Sequence, residues 1–201
     1  MIMPSKLLAI DTATKSIYLA LIIDGKVADV INQEGASNHS VTIMPLIDEL
    51  LKKHELELRK LDGILVGIGP GSYTGIRIGV AIAKMIAYLN PIKLYTFSSL
   101  ALLASCSDSD YILAAIDARR GNAFLSTYKQ NNGLLTVVSE DQLTDFKQFK
   151  NDIKIPFDLV TEGLPKVEKL ISSQLLSLVN DPHALVPNYL QITEAERNKA
   201  L

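Results

Sequence analysis

The residues best suited to chemistry form a glycine-rich segment between a predicted strand and a predicted helix. It reads Gly67-Ile-Gly69-Pro-Gly71-Ser-Tyr-Thr-Gly75-Ile-Arg77-Ile-Gly79. Glycine permits positive φ angles and close backbone approach, and exposed amides at a helix N-terminus attract an anion. The segment lacks the Gly-Lys-Ser/Thr of a Walker A loop, and its glycine spacing departs from the dinucleotide-binding fingerprint. Two interpretations stay open: an anion site, or a tight turn whose glycines let the helix pack against the sheet.

Two segments around aspartates could add charged groups to such a site. Asp11-Thr12-Ala13-Thr14 offers a carboxylate and hydroxyls that could hold a phosphate-bound metal, or could merely close a hairpin. Asp117-Ala118-Arg119-Arg120-Gly121 has the same position in the second half, and its arginines could bind phosphate or lie in solvent. Together with the glycine-rich segment, the candidate anion site comprises Asp11, Thr12, Gly69, Gly71, Ser72, Thr74, Gly75 and Arg77.

Residues for metal binding or covalent catalysis are sparse. The histidines are His39, His54 and His183. A pair of metal ligands on one helix face needs a second ligand four residues after the first. Four residues after His39 comes Ile43, and four residues after His54 comes Leu58. We therefore expect no metal site. The single cysteine, Cys106, is interpreted as a small apolar filler and excludes an intramolecular disulfide. Ser72 has no base nearby in sequence, and we predict no catalytic residue.

Composition and charge restrict the classes of function. The 201 residues are 48% hydrophobic and 21% charged, as in ordinary globular domains, which excludes wholesale disorder. The net charge of -2 argues against a protein that holds nucleic acid alone, because such a protein usually carries a basic excess. The mean hydropathy of +0.20 is high, yet no uncharged run approaches the ~18 residues of a membrane-spanning helix. The first apolar stretch is too short for a signal peptide, so we expect a cytoplasmic protein with no membrane contact.

The first half of the chain predicts a mixed sheet under helices. An antiparallel meander comes first, and the alternation of Ile17, Leu19, Leu21 and Ile23 is typical of a half-covered strand. Asp24-Gly25 is a hairpin signal, and Ser37 or Asn38 can cap the first helix. The predicted strands are 6–11, 16–23, 26–31, 61–68 and 93–96. One helix is predicted after the third strand, a second at about 74–89 and a third at 98–105.

The second half repeats the beginning in a weaker form. Ile116-Asp117 ends an apolar strand as Ile10-Asp11 does, and a second strand follows each. The predicted strands are 111–117, 121–128, 134–138 and 157–161, with an amphipathic stretch at 141–150 and a helix around 165–179. We therefore predict two lobes, residues 1–106 and a smaller, incomplete lobe of residues 107–201.

The second predicted helix has an unusual excess of apolar residues. From Ile78 to Leu89 only Lys84 is charged, and apolar residues occur on every side. If three or four such side chains stay in water, the fold loses the hydrophobic free energy of burying them, roughly 1.5–3 kcal/mol for each side chain. A protein–protein interface is the expected solution, and burial under the second lobe is the alternative. The predicted interface residues are Met44, Ile47, Leu51, Ile78, Ile82, Met85, Ile86 and Leu89.

Several motifs together resemble the TsaB family, also called YeaZ, over essentially the whole chain. The strongest is the glycine-rich segment from Gly69 to Gly79. It is accompanied by Ile10-Asp11-Thr12-Ala13, Asn38-His39-Ser40, Met44-Pro45-Leu46-Ile47, Ile116-Asp117-Ala118-Arg119 and Pro187-Asn188-Tyr189-Leu190. The resemblance implies an α/β, two-lobe fold of the actin, sugar-kinase and Hsp70 type (ASKHA, ribonuclease H-like), with mixed sheets and a reduced second lobe.

The resemblance also implies a function and partners. The family is paralogous to TsaD, the threonylcarbamoyl transferase, and pairs with TsaD and the ATPase TsaE to install threonylcarbamoyladenosine next to the tRNA anticodon. Members form homodimers when alone and meet tRNA only through the complex. TsaD holds its metal on a His-x-x-x-His helix, where this chain has His39 and then Ile43.

The expected role is therefore a non-catalytic dimerisation subunit that supports TsaD. It has no cofactor of its own, with ATP or ADP only within the complex. The alternatives are a small-molecule kinase or ATPase of the same fold, which would use Asp11 and Asp117 around phosphates, and a glycoprotease-like hydrolase with Ser72 as nucleophile.

Overall fold

The structure, a computed structural model, describes residues 5–35, 39–152 and 156–191. In the first half the elements are strands β1 (Lys6–Asp11), β2 (Ser16–Ile23) and β3 (Lys26–Glu34), helix α1 (His39–Lys53), strand β4 (Gly63–Gly67), helix α2 (Tyr73–Leu89), strand β5 (Lys93–Phe97) and helix α3 (Ser99–Ala104). In the second half they are strands β6 (Tyr111–Asp117), β7 (Asn122–Asn131) and β8 (Leu134–Asp145), helix α4 (Phe146–Asp152), strand β9 (Asp158–Val160), helix α5 (Val167–Ser172) and strand β10 (Ser177–Leu178).

The first sheet is mixed, as predicted, with strand order β10-β5-β4-β1-β2-β3. Strands β1 to β3 form the antiparallel meander. The turn between β2 and β3 places Asp24 and Gly25 at φ angles of 49° and 77°, the left-handed geometry of a tight hairpin. Strands β4 and β5 continue the sheet in parallel with β1, through helical connections. The proposed cap residues of α1, Ser37 and Asn38, lie outside the described residues.

Strand β2 is buried on both faces, so the expectation of a half-covered strand is wrong. Ile17, Leu19 and Leu21 pack into a core with α1 and α2. Tyr18 and Ala20 point to the opposite face, into a core that also contains α3 and residues of the second sheet. The alternation identified one apolar face correctly, but Tyr18 and Ala20 can also be buried because the second lobe covers them.

The second sheet repeats the connectivity of the first, with strand order β8-β7-β6-β9. β6, β7 and β8 form an antiparallel meander, and β9 lies parallel to β6 as β4 lies parallel to β1. The Asn132-Gly133 turn between β7 and β8 has φ angles of 51° and 78°, like the corresponding turn in the first sheet. The weak internal repeat read from the aspartate-ended strands therefore corresponds to a repeated topology.

Two elements of the second half differ from prediction. Strand β8 continues to Asp145, because Ser139 and residues 142–145 pair with β7 on either side of a bulge, and α4 begins only at Phe146. The helix predicted over 165–179 ends at Ser172, since Gln174 takes a left-handed φ of 57° and leaves the helix. The chain then forms β10, which pairs antiparallel with β5 of the first sheet.

After β10 the chain runs back over the first lobe. The Val179 amide donates to the Leu94 carbonyl at 2.8 Å, and the Asn188 amide donates to the Ile68 carbonyl at 2.8 Å. We call residues 179–190 the C-terminal strap. Within the described part of the chain, no helix combines the length and the apolar character needed to cross a bilayer.

Tyr95 provides a test of core packing, because its buried hydroxyl has no hydrogen-bond partner among the described residues. Since an unpaired buried hydroxyl is costly, we expect Tyr95→Phe to leave the free energy of unfolding unchanged or to raise it by about 1 kcal/mol. Tyr18→Phe is the matched control, because the Tyr18 hydroxyl donates to the Pro165 carbonyl at 3.2 Å and its removal should cost about 1 kcal/mol. Urea unfolding measures both, and a Tyr95→Phe loss equal to the control would contradict this packing.

Candidate functional site

The loop between β4 and α2 packs directly on the turn between β1 and β2. A Cβ on Gly67 would lie 1.7 Å from Asp11 Oδ2, and one on Gly75 would lie 2.0 Å from the Thr12 carbonyl oxygen. A Cβ on Gly71 would lie 2.3 Å from the Ala13 carbonyl oxygen. Only a glycine hydrogen fits at these positions. The glycines therefore bring the start of α2 against the β1–β2 turn.

Hydrogen bonds join the two segments. The Ser72 amide donates to the Ala13 carbonyl at 2.7 Å, and Thr12 Oγ1 donates to the Gly75 carbonyl at 2.7 Å. Ser72 also caps α2, accepting from the Gly75 amide at 3.2 Å. These donors serve acceptors of the chain itself, so the geometry favours the packing interpretation of the glycine-rich segment over an anion site.

The other residues of the candidate anion site lie in different surroundings. Gly69 has a φ of 96°, which favours glycine, and its amide donates to Ser99 Oγ at 3.1 Å. Thr74 is exposed in the first turn of α2, and Arg77 is exposed one turn later. The structure thus brings Asp11, Thr12 and the glycines together, and leaves Thr74 and Arg77 on the outside.

Asp11 is a buried carboxylate at the end of β1. Its Oδ1 accepts from the Ala13 amide at 2.9 Å, and its Oδ2 accepts from the Ser99 hydroxyl at the start of α3. Burial raises the pKa of Asp11 from 3.8 to about 6, although both hydrogen bonds oppose the rise. The carboxyl group therefore ties β1 to α3 at an electrostatic cost when it is ionised.

A small cleft opens beside Asp11, between the two lobes. It has a volume of about 70 Å³, and its lining includes Asp11, Lys15, Asn32, Ser99, Leu103 and Gly163. Ligand pockets are usually ~300–1000 Å³, so this cleft has room for a few water molecules but not for a nucleotide.

Residues 161–165 close one side of this cleft. Lys15 pairs with Glu34 at 2.7 Å and approaches Glu162 at 3.9 Å. Asn32 Nδ2 donates to the Gly163 carbonyl at 3.1 Å. These contacts join the first meander to the segment after β9 and narrow the opening.

The Asp117 turn does not join this cleft. Asp117, Arg119 and Arg120 are exposed, and none of them is among the lining residues. The Arg119 amide donates to Asp117 Oδ1 at 2.8 Å, and the arginines take left-handed φ angles of 66° and 55°. The aspartates of the two lobes thus occupy equivalent positions in the repeat, but the structure does not bring them around one pocket.

The predicted interface residues divide into two sets. Ile47, Leu51 and Ile86 are at most 2% exposed and lie in the core with the first sheet, so the prediction that they contact a partner is wrong for this structure. Helix α2 also buries Val80 and Ala83 against the sheet. An apolar helix gives no sequence signal for which side meets the sheet, which is why the two sets could not be separated.

The remaining predicted interface residues are accessible. Met85 is 45% exposed and Leu89 is 71% exposed, while Ile78 and Ile82 on α2 and Met44 on α1 are half-buried. On α2 these positions are spaced by four, three and four residues, which places them on one side of the helix. We call Ile78, Ile82, Met85 and Leu89 the α2 outer row.

The C-terminal strap covers a neighbouring flank of α2, a contact that sequence reasoning missed. Lys84 Nζ donates to the carbonyls of His183 and Leu185 at 3.0 and 2.9 Å. The His183 ring packs edge-on against Tyr88, with ring centres 4.8 Å apart. These contacts span about a hundred residues of sequence, so no local pattern reveals them.

The other chemistry-bearing residues are scattered. His54 Nε2 lies 3.0 Å from Asp29 Oδ2, and the side chain of His39 is outside the described part. Burial raises the pKa of the Cys106 thiol to about 11, which suits a packed residue rather than a nucleophile. Within residues 5–35, 39–152 and 156–191 there is no group of three or more histidine, cysteine, aspartate or glutamate side chains arranged to hold a metal.

The raised pKa of Asp11 predicts a pH-dependent stability. Because the folded-state pKa is above the unfolded value, the contribution of Asp11 is fully present below pH 3.8 and is lost as the pH rises through about 6. Asp11→Asn removes the charge, so its stability relative to wild type should rise by about 3 kcal/mol between pH 4 and pH 7.5. Urea unfolding across this range measures the difference, and a difference that does not change with pH would refute the buried-carboxylate assignment.

Comparison with known proteins identifies the family. A family model described as "TsaD: tRNA N6-adenosine threonylcarbamoyltransferase" matches residues 26–191. The Bacillus subtilis "tRNA threonylcarbamoyladenosine biosynthesis protein TsaB" is 33% identical over 94% of this chain and 96% of its own length. The Escherichia coli protein of the same name is 33% identical over 64% of this chain and 58% of its own length.

The solved structures agree on the fold. "YeaZ from Pseudomonas aeruginosa" superposes with a TM-score of 0.78 at 23% identity, covering 92% of this chain and 100% of that one. The two mixed sheets with their helices are the two-lobe, actin-like α/β fold that the motifs predict. By sequence identity over nearly its whole length, the chain belongs to the TsaB (YeaZ) family.

Proposed function

We propose that this chain is a non-catalytic dimerisation subunit that supports TsaD in the biosynthesis of tRNA threonylcarbamoyladenosine. The observation that carries the proposal is the exposure of Met85 and Leu89 in the outer row of α2, in a chain whose curated relatives are named for this pathway. In this proposal the lobe of residues 1–106 carries the interface and the lobe of residues 107–201 supports it.

The interior of the molecule supports a non-catalytic role. The cleft beside Asp11 is too small for a nucleotide, and amides of the glycine-rich loop serve acceptors of the chain. Ile43 stands four residues after His39, where the resemblance places the second metal ligand of TsaD, and Ile43 is fully buried in the core. A hydrophobic side chain in that position supplies no donor to a metal ion. ATP or ADP would then bind only in the assembled complex.

The surface of α2 supports a partner. The outer row leaves Met85 and Leu89 in solvent, and Tyr88 beside them is 68% exposed. Burying three such side chains would contribute several kcal/mol at roughly 1.5–3 kcal/mol each. Among the described residues, the strap contacts α2 along the flank that carries Arg77, Lys84 and Tyr88, and Met85 and Leu89 stay exposed. The same row would serve a homodimer when the chain is alone and the TsaD contact in the complex, with TsaE and tRNA joining through that complex.

We expect the pathway to operate in the cytoplasm. The test of the proposal is reconstitution of the tRNA modification from purified components. Purified TsaD, TsaE, tRNA and a separate synthase that makes the donor, threonylcarbamoyl-AMP, should form threonylcarbamoyladenosine only when this chain is added. Product formed at an equal rate without the chain would refute a supporting role. ATP hydrolysis or small-molecule phosphorylation by the isolated chain would favour the kinase alternative instead.

A single substitution in the outer row should disrupt the proposed interface. Met85→Glu places a charge in the middle of the row without disturbing the core, so we expect at least a hundredfold loss of affinity for TsaD and a monomeric chain in light scattering. The thermal midpoint should stay within a few degrees of wild type. Val138→Glu, an exposed valine of β8 in the other lobe, is the matched control and should bind normally. A folded Met85→Glu variant that binds as wild type does would remove the outer row from the interface.

A further inference from the structure

Arg77 carries a positive charge that is held in place by two tyrosines. Its guanidinium carbon lies 4.1 Å from the centre of the Tyr73 ring and 5.6 Å from that of the Tyr189 ring. Arg77 Nε donates to the Tyr189 hydroxyl at 2.8 Å, and the two rings have centres 5.1 Å apart. Cation–π contacts and a hydrogen bond therefore fix a side chain that would otherwise sample many rotamers on the surface.

The charge of Arg77 has no carboxylate partner among the described residues. None of the ion pairs found there involves it. Helix α2 contains no aspartate or glutamate, and neither does the part of the strap from Pro182 to Leu190. Lys84, the other cation of α2, donates to two carbonyls of the strap. Arg77 is exposed, so its charge is accessible to a partner from outside the chain.

The position of Arg77 relates it to the outer row. Steps of four residues lead from Arg77 through the exposed Ala81 to Met85, and side chains four apart are neighbours on a helix. The guanidinium therefore stands beside the N-terminal end of the surface that a partner would cover. Arginine and tyrosine are among the residue types most enriched in the side chains that dominate interface energies.

The surroundings suit a carboxylate better than a phosphate. A phosphate site at a helix N-terminus relies on several free backbone amides. Here the amides of Gly69, Ser72 and Gly75 donate to Ser99, Ala13 and the Ser72 side chain. The Arg77 guanidinium is planar, and its paired N–H groups match the two oxygens of a carboxylate.

We propose that Arg77 binds an aspartate or glutamate side chain of the TsaD subunit that covers the α2 outer row. This inference rests on the function proposed above and adds to it a charged contact at the edge of the interface. Tyr189 is a positioning residue, because it acts on the partner only by holding the guanidinium. The strap would then contribute to partner recognition from a distance of more than a hundred residues along the chain.

The experiment measures the affinity of the full chain for purified TsaD by calorimetry at low and high NaCl. Arg77→Met should weaken binding about 10- to 100-fold at low salt and should flatten the salt dependence, because the screened charge pair is gone. Arg77→Lys should recover only part of the affinity, since an ammonium cannot make the paired contact. Tyr189→Phe keeps the ring but loses the hydrogen bond, so we expect a loss of a few fold with the salt dependence retained.

Lys84→Met is the matched control, because it removes a cation of the same helix that also holds the strap. We expect it to change the affinity less than threefold. Arg77→Met binding within twofold of wild type, or a Lys84→Met loss as large as that of Arg77→Met, would overturn the proposal. A loss of phosphate binding by the isolated chain in Arg77→Met, with TsaD affinity unchanged, would instead assign the guanidinium to a phosphate and overturn it too.

Two further results show whether the carboxylate belongs to this chain, and whether the Arg77 assignment can fail while the proposed function holds. The double variant Glu194→Gln, Glu196→Gln removes the carboxylates that follow the strap in sequence. If it reproduces the Arg77→Met loss, the carboxylate belongs to this chain and the proposal fails. If Met85→Glu abolishes TsaD binding while Arg77→Met does not affect it, the supporting-subunit function stands and only the assignment of Arg77 is lost.

Discussion

The close approach of the glycine-rich loop to the turn after β1 is the contact on which the rest of the first lobe depends. Gly67 and Gly75 leave no room for a side chain against Asp11 and Thr12. Because the loop sits so near the sheet, α2 begins at the sheet surface and buries Val80, Ala83 and Ile86 along its length. The same approach encloses the Asp11 carboxylate, whose raised pKa is the electrostatic result of that packing.

Helix α2 has three environments, and together they account for its sequence. One side lies on the first sheet, one flank lies under the strap, and Met85 and Leu89 of the outer row lie in solvent. A helix in a lone domain normally keeps its solvent side polar. Here Met85 and Leu89 occupy that side, so part of the apolar excess of α2 lies at the surface rather than in the core.

The strands and helices of the first lobe were largely predictable because their signals are local. Asp24-Gly25 specifies a tight turn, and the run from Ile78 to Leu89 specifies a helix, through residues that are close in sequence. The limits came from long-range contacts. The burial of Tyr18 depends on the second lobe, and β10 exists because residues 177–178 find a free edge on β5.

For the candidate site, residue types were easier to predict than their roles. The glycines mark a close approach in sequence, but only the structure shows that Thr12 and Ala13 fill the space that an anion would need. Ile47 and Ile86 are as apolar as Met85. Ile47 and Ile86 are buried because they lie on the side of their helix that faces the sheet, whereas Met85 lies on the exposed side. Tyr189 appeared only as part of a motif, with no signal for its contact with Arg77.

The return of the strap to the first sheet has a consequence for synthesis on the ribosome. β5 ends at Phe97 and its neighbour β10 begins at Ser177, so ~80 residues must be translated before that edge of the sheet is covered. At ~5–20 residues per second this takes roughly 4–16 s. During that interval the nascent first lobe exposes an open strand edge and the bare flank of α2, which is a situation in which chaperones bind growing chains.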